Sequence, residues 1–201
     1  MNSDILKWPI SIIAGILVIV LYCIFTFTSI ALYPPPYSAI DNWLSDLGNS
    51  SFNPNGAIFY NLGCILTGIM LFPFYLGLYK WYLEKSWHKV LMIVTQIVGC
   101  CSGFALIMIG VFSEDFMTEH IFWSEIFFKL NLGVLVLASI TLMFHPKAYK
   151  IVVIYGIAVA IINLIFVYFI GTPLVEWITV FTALGYAGLI VYNTYNEMVL
   201  D

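Results

Sequence analysis

Long apolar stretches alternate with short polar connections along the whole chain. They stand at 9–33, 57–79, 90–112, 121–144, 149–170 and 173–195. Each is near the ~20 residues that a helix needs to cross ~30 Å of hydrocarbon. The pattern predicts an all-α, polytopic membrane protein. Residues 1–201 read as a single transmembrane domain, a six-helix bundle with little outside the bilayer except one structured loop. The first stretch is too long for the apolar core of a secretory signal. No small-x-small cleavage site precedes the Pro34-Pro35-Pro36 stop, so it reads as a retained helix.

The connection 34–56, PPPYSAIDNWLSDLGNSSFNPNG, is the long one. Its prolines end the first helix. The following Tyr37–Leu47 region sets large apolar groups among polar ones, as in a short helix lying in the interface. In that reading Ile40, Trp43, Leu44 and Leu47 face lipid or bundle. Asn53-Pro54-Asn55-Gly56 makes a turn that starts the second helix.

Composition agrees with this pattern. The chain is 62% hydrophobic and 9% charged, where soluble domains carry about 25% charged residues. Its mean hydropathy is +1.00. The net charge of -4 contains no basic run, which argues against a nucleic-acid partner. All 7 basic residues are lysine, so the bidentate phosphate fork of arginine is missing. Cys23, Cys64, Cys100 and Cys101 each lie in an apolar run, in no zinc or redox spacing, and read as small packing residues.

Charge also sets orientation. Lys7, Lys80, Lys85, Lys89, Lys147 and Lys150 fall on alternate connections, whereas 34–56, 113–120 and 171–173 have no lysine. Positive charge is retained inside, so both termini are expected in the cytoplasm and the protein in the cell membrane. The acids Asp41, Asp46, Glu114, Asp115, Glu119, Glu125 and Glu176 gather at the opposite, outer side, with Trp43, Trp123 and Trp177.

The candidate chemistry is therefore outward. Ser45, Asp46, His120 and Ser124 are the candidate catalytic residues, and Asp41, Asn42, Trp43, Glu114, Asp115, Glu125 and Lys129 the candidate binding residues. His120, Ser124, Phe127 and Asn131 share one face of the fourth helix. Glu125 and Lys129 form an i,i+4 pair on nearly the opposite face, with Lys129 roughly 13 Å below His120 along the axis. An ionisable pair at that depth is costly unless enclosed, which marks it as a candidate for function or for locking helices together. Ser45 or Ser38 with His120 and Asp46 supplies the residue types of a nucleophilic triad. Equally, Ser38, Asp41, Ser45 and Asp46 are residues that cap turns. One outward histidine is too few for a typical catalytic zinc, and no metal site is assigned. The residues indicate no particular cofactor.

Asn42-Trp43-Leu44-Ser45-Asp46-Leu47-Gly48, Asn53-Pro54 and the apolar run 59–78 resemble the opening of the membrane family known as domain of unknown function 998. Gly110-Val111-Phe112 with Glu114, then His120 and Phe127-Phe128, resembles its second signature. A more distant likeness is to the damage-regulated autophagy modulator and GPI-lipid-remodelling families, carried by Ser45, Asp46, Gly48 and His120. The resemblance implies a fold and a place for the site, near the outer or lumenal face, and for the distant families a link to lipid handling. It does not imply a reaction.

Three functions are consistent with these features. The first is handling or modification of a lipid at the outer leaflet, with the lipid as ligand. The second is a non-enzymatic scaffold or accessory subunit bound to other membrane subunits. The third is a channel or transporter, which the scarcity of intramembrane charge and the lack of a visible internal repeat disfavour. Asn49-Ser50-Ser51 is also a glycosylation sequon on the expected outer side. The orientation is testable with cysteines introduced at Asn49 and Ser86. An impermeant thiol reagent added from outside should label the first and spare the second.

Overall fold

A computed structural model describes residues 7–34 and 36–199. Lipid offers no hydrogen bonds, so each spanning segment must satisfy its own backbone, and helices do so. Those long and apolar enough to cross a membrane are α1 (Ile10–Leu32), α2 (Ala57–Leu76, extended by a 3-10 turn to Trp81), α3 (Ser86–Val111), α4 (Met117–Met143, preceded by a 3-10 turn from Glu114), α5 (Lys150–Tyr168) and α6 (Pro173–Met198). The described residues contain no strand. The protein is a multi-pass membrane protein.

Each helix packs on its neighbours in sequence, and α6 returns to α1 to close the ring. The outward surface is apolar on every helix, with Ile24, Ile58, Ile97, Phe122, Ile154 and Ile178 among the exposed side chains. Small and hydroxylic residues turn inward instead, which lets backbones approach where no hydrophobic force draws helices together. One close crossing is at Gly68 and Gly103. A Cβ on Gly68 would lie 2.6 Å from the Gly103 carbonyl oxygen, and one on Gly103 2.9 Å from that of Gly68. The four cysteines are free.

Polar side chains close the end that carries the lysine-bearing connections. Gln96 of α3 donates Nε2 to the carbonyls of Tyr75 (3.1 Å) and Leu76 (2.8 Å), satisfying the end of α2. Trp81 donates Nε1 to Thr194 Oγ1 at 3.0 Å, and Asn193 bridges the Tyr149 amide and the Lys147 carbonyl. His145 Nδ1 accepts the Lys147 amide at 3.2 Å. Burial first, then His88 and Lys147, hold His145 below the ordinary imidazole range, in keeping with a neutral acceptor ring.

At the opposite end, the short helix expected in the long loop is only a 3-10 turn, Ser45–Gly48. Its apolar residues divide. Ile40 and Trp43 remain exposed, while Leu44 and Leu47 are 1% and 0% exposed in the core. The loop therefore docks into the bundle instead of lying along the interface. Pro35, in the middle of the proline stop, lies outside the described residues.

Asn53 fastens this loop. Its Nδ2 reaches the Ser29 carbonyl (3.2 Å), Ser29 Oγ (2.9 Å) and the Leu47 carbonyl (3.0 Å), and its Oδ1 accepts the Gly56 amide (3.0 Å). Asn53→Ala strands these groups in a site with no exposure. It should cost about 2–3 kcal/mol, since unsatisfied buried groups each carry a desolvation penalty. Reversible denaturation in mixed micelles measures this, and a loss below about 0.5 kcal/mol would remove Asn53 as the fastener.

Candidate functional site

The loop's own polar residues mostly hold the loop. Ser38 Oγ accepts the Ile40 amide at 3.2 Å, and Asn42 Oδ1 accepts the Ser38 amide at 3.1 Å. Asp46 Oδ2 accepts the Trp43 amide at 3.0 Å and Asn42 Nδ2 at 3.3 Å. Tyr37 donates its hydroxyl to the Trp43 carbonyl at 3.2 Å, and burial raises its pKa, so it stays a donor. Asp41 is exposed. Asn49 Oδ1 accepts the amides of Ser51 (2.9 Å) and Phe52 (3.3 Å), and the residue is 8% exposed. That burial makes Asn49 a poor acceptor for a glycan or a thiol label, and exposed Ser51 is the better labelling position.

Three contacts, from the turn before α4 and from α6, then seat the loop. Glu176 Oε2, in the first turn of α6, accepts the Leu44 amide at 2.8 Å. Glu114 Oε1 accepts the Ser45 hydroxyl at 3.5 Å, a long bond, while its Oε2 is buried without a hydrogen-bond partner. Asp115, just before α4, accepts the Ser50 amide (3.0 Å), the Ser50 hydroxyl (2.8 Å) and the Ser113 hydroxyl (2.9 Å).

His120, one turn into α4, is 5% exposed with Nδ1 2.8 Å from the Phe112 carbonyl oxygen. A carbonyl only accepts, so Nδ1 carries the proton, and the neutral ring keeps a lone pair on Nε2. The residues of the expected triad do not assemble into one. The Ser45 hydroxyl points to Glu114, and the Asp46 carboxylate is occupied by the loop's own donors. A backbone carbonyl orients His120 in place of a carboxylate.

Beneath the seated loop lies a narrow cleft of about 80 Å³ at the centre of the bundle. Its mouth carries Ser45, His120, Ser124 and Glu176. It descends past Phe128 and Asn131 to Thr67, Leu71, Phe74 and Ala187, and is apolar over most of that depth. A second space, a groove of about 760 Å³ on the bundle's flank, runs between α4 and the end of α5. Ser45, His120, Ser124, Phe128 and Glu176 line both spaces, so the cleft meets the lipid-facing surface along α4. Phe128 and Phe166 meet edge to face across this junction, with centroids 4.6 Å apart.

Glu125 and Lys129 line the groove, and Trp43 stands there as well. Their ion pair is short, at 2.7 Å, but the side chains are 62% and 50% exposed. The pair expected on the face nearly opposite His120 is thus peripheral, and is not enclosed at its depth along α4.

The mouth also contains what the sequence reading passed over. Glu176 appeared there as one of several outward acids, yet it lines both spaces and holds the loop. A lone carboxylate in the first turn of an apolar helix was the available signal.

A family model for a protein of unknown function, DUF998, matches residues 16–193. The chain belongs to this family. The matched span of the DUF998 chain takes in the loop, Glu114, His120 and Glu176, so the whole mouth lies within the family region. No curated protein and no solved structure matches it. The more distant likeness therefore rests on Ser45, Asp46, Gly48 and His120 alone.

Proposed function

We propose that the protein handles an amphiphilic lipid in the outer leaflet, admitting it sideways from the bilayer. The lysine distribution supports placing the mouth on the non-cytoplasmic side. The observation that carries the reading is the continuity of groove and cleft. A lipid tail enters along α4 past Phe128 by a groove whose lining is mostly apolar, while the headgroup stays level with His120, Ser124, Ser45 and Glu176. The span from His120 to Asn131 along α4 is roughly 16 Å, long enough for much of an acyl or isoprenoid chain. Binding sites of this kind are largely apolar with a few convergent polar groups.

The roles divide accordingly. Phe74, Leu71 and Ala187 wall the tail, and Ser124 and His120 Nε2 meet the headgroup. Asp46 supports the loop and acts on the ligand only through it. His120 also has the chemistry of a general base for a headgroup hydroxyl, because its free nitrogen is the acceptor one. A scaffold role is the second reading, favoured by the number of loop polar groups committed to the loop itself. The peripheral Glu125–Lys129 pair gives a channel or transporter reading little to build on.

The two leading readings differ in whether the cleft is occupied. Ala187→Phe fills it from α6 without touching the loop. Native mass spectrometry of detergent-extracted protein should find one retained lipid on the wild type and at least about tenfold less on the variant, a difference of roughly 1.4 kcal/mol. Retention equal in both, or absent from the wild type, contradicts lipid handling and favours the scaffold.

A further inference from the structure

Acceptors outnumber donors at the mouth. Glu114 and Glu176 bring carboxyl groups, and His120 brings the lone pair of Nε2 once Nδ1–H is committed to Phe112. Asp46, Glu114 and Glu176 are also close enough to influence one another's charge. Among the described residues the ion pairs are Lys129–Glu125 and Lys147–Glu197, and neither includes one of these three carboxylates. Lys129, the cation lining the groove, is already held by Glu125 at 2.7 Å.

The donors present are few. Glu176 has the Leu44 amide, and Glu114 has the Asn49 side chain and the long bond from Ser45. Glu114 is 9% exposed, its Oε2 lacks a hydrogen-bond partner, and the residue lines the groove where it meets the cleft. Deeper in the cleft, Thr67 Oγ1 is likewise buried and unpartnered. Buried carboxyl groups that repel one another and lack a countercharge are costly, and a cation at the same place removes the cost. A metal ion does not fit, because among the described residues no three His, Cys, Asp or Glu side chains are grouped to hold one. The cation that suits wider spacing is larger, donates several hydrogen bonds and carries an apolar tail.

We infer that the cleft selects an amphiphile whose headgroup bears an ammonium, seated between Glu114, Glu176 and His120. This rests on the lipid-handling reading and names the ligand class for the same site. The ammonium donates to the Glu114 and Glu176 carboxylates and to His120 Nε2, in charge-assisted bonds stronger than those between neutral groups. An anionic headgroup meets repulsion there. A hydroxylic headgroup leaves the carboxyl charge uncompensated.

The test is displacement of a fluorescent long-chain amphiphile from the full chain in maltoside micelles at about pH 7, where the probe amine is charged and the probe acid largely ionised. The competitors are hexadecylammonium, hexadecanoate and hexadecanol. Hexadecylammonium should act at a concentration at least about tenfold below either of the others. Glu114→Gln and Glu176→Gln keep an acceptor oxygen for Ser45 and Leu44 while removing charge, so the loop stays seated. Each should reduce the preference severalfold, and the pair together should bring it near parity, with helicity unchanged. Glu119→Gln, at an exposed outer acid, should leave the preference intact.

Equal displacement by all three competitors overturns the headgroup inference and leaves lipid handling standing. An ammonium preference that survives both Gln substitutions reflects partition into the micelle, and overturns it as well. Failure of the fluorescent amphiphile to bind the wild type removes the lipid-handling reading itself.

Discussion

The outer half of this protein depends on one long-range hydrogen bond, from the Leu44 amide to the Glu176 carboxylate. It joins the loop after α1 to the first turn of α6, the two ends of the ring that the connections leave furthest apart in sequence. With that bond made, Leu44 and Leu47 lie in the core and the loop roofs the cleft. A carboxylate near a helix N-terminus is well placed electrostatically. Glu176 therefore serves the helix, the loop and the cleft mouth with a single side chain.

The cleft persists because packing is uneven around the ring. On the side of α2 and α3, Gly68 and Gly103 bring backbones nearly into contact and leave no space. On the side of α4 and α5, bulky rings such as Phe128 and Phe166 hold the helices apart at the outer end. The groove opens there, on the surface a lipid tail would reach first. Close approach on one wall and aromatic spacing on the other thus give the bundle a closed side and an open one.

Much of the architecture was legible in the sequence because the bilayer imposes a length and a polarity on every span. The outer loop was harder. Leu44 and Leu47 sit in a stretch otherwise rich in polar residues, so an interfacial helix and a docked plug share the same pattern. Asp46 stood out by belonging to a short motif, but its donors are two residues of its own loop. Glu176 stood out less and does more, since its partner is 132 residues away and no local pattern announces such a pairing. Glu125 and Lys129 were expected on the face of α4 nearly opposite His120, and they stand exposed there as an i,i+4 pair.

The central claim is that the space between His120 and Thr67 is built to hold a chain molecule entering between α4 and α5. An experimental density map of the protein crystallised from a lipid phase tests it most directly. The account predicts one continuous, elongated density from the His120 level to the Thr67 level, branching only at the mouth. Discrete water-sized peaks, or helices closed over the space with no density between them, would contradict it.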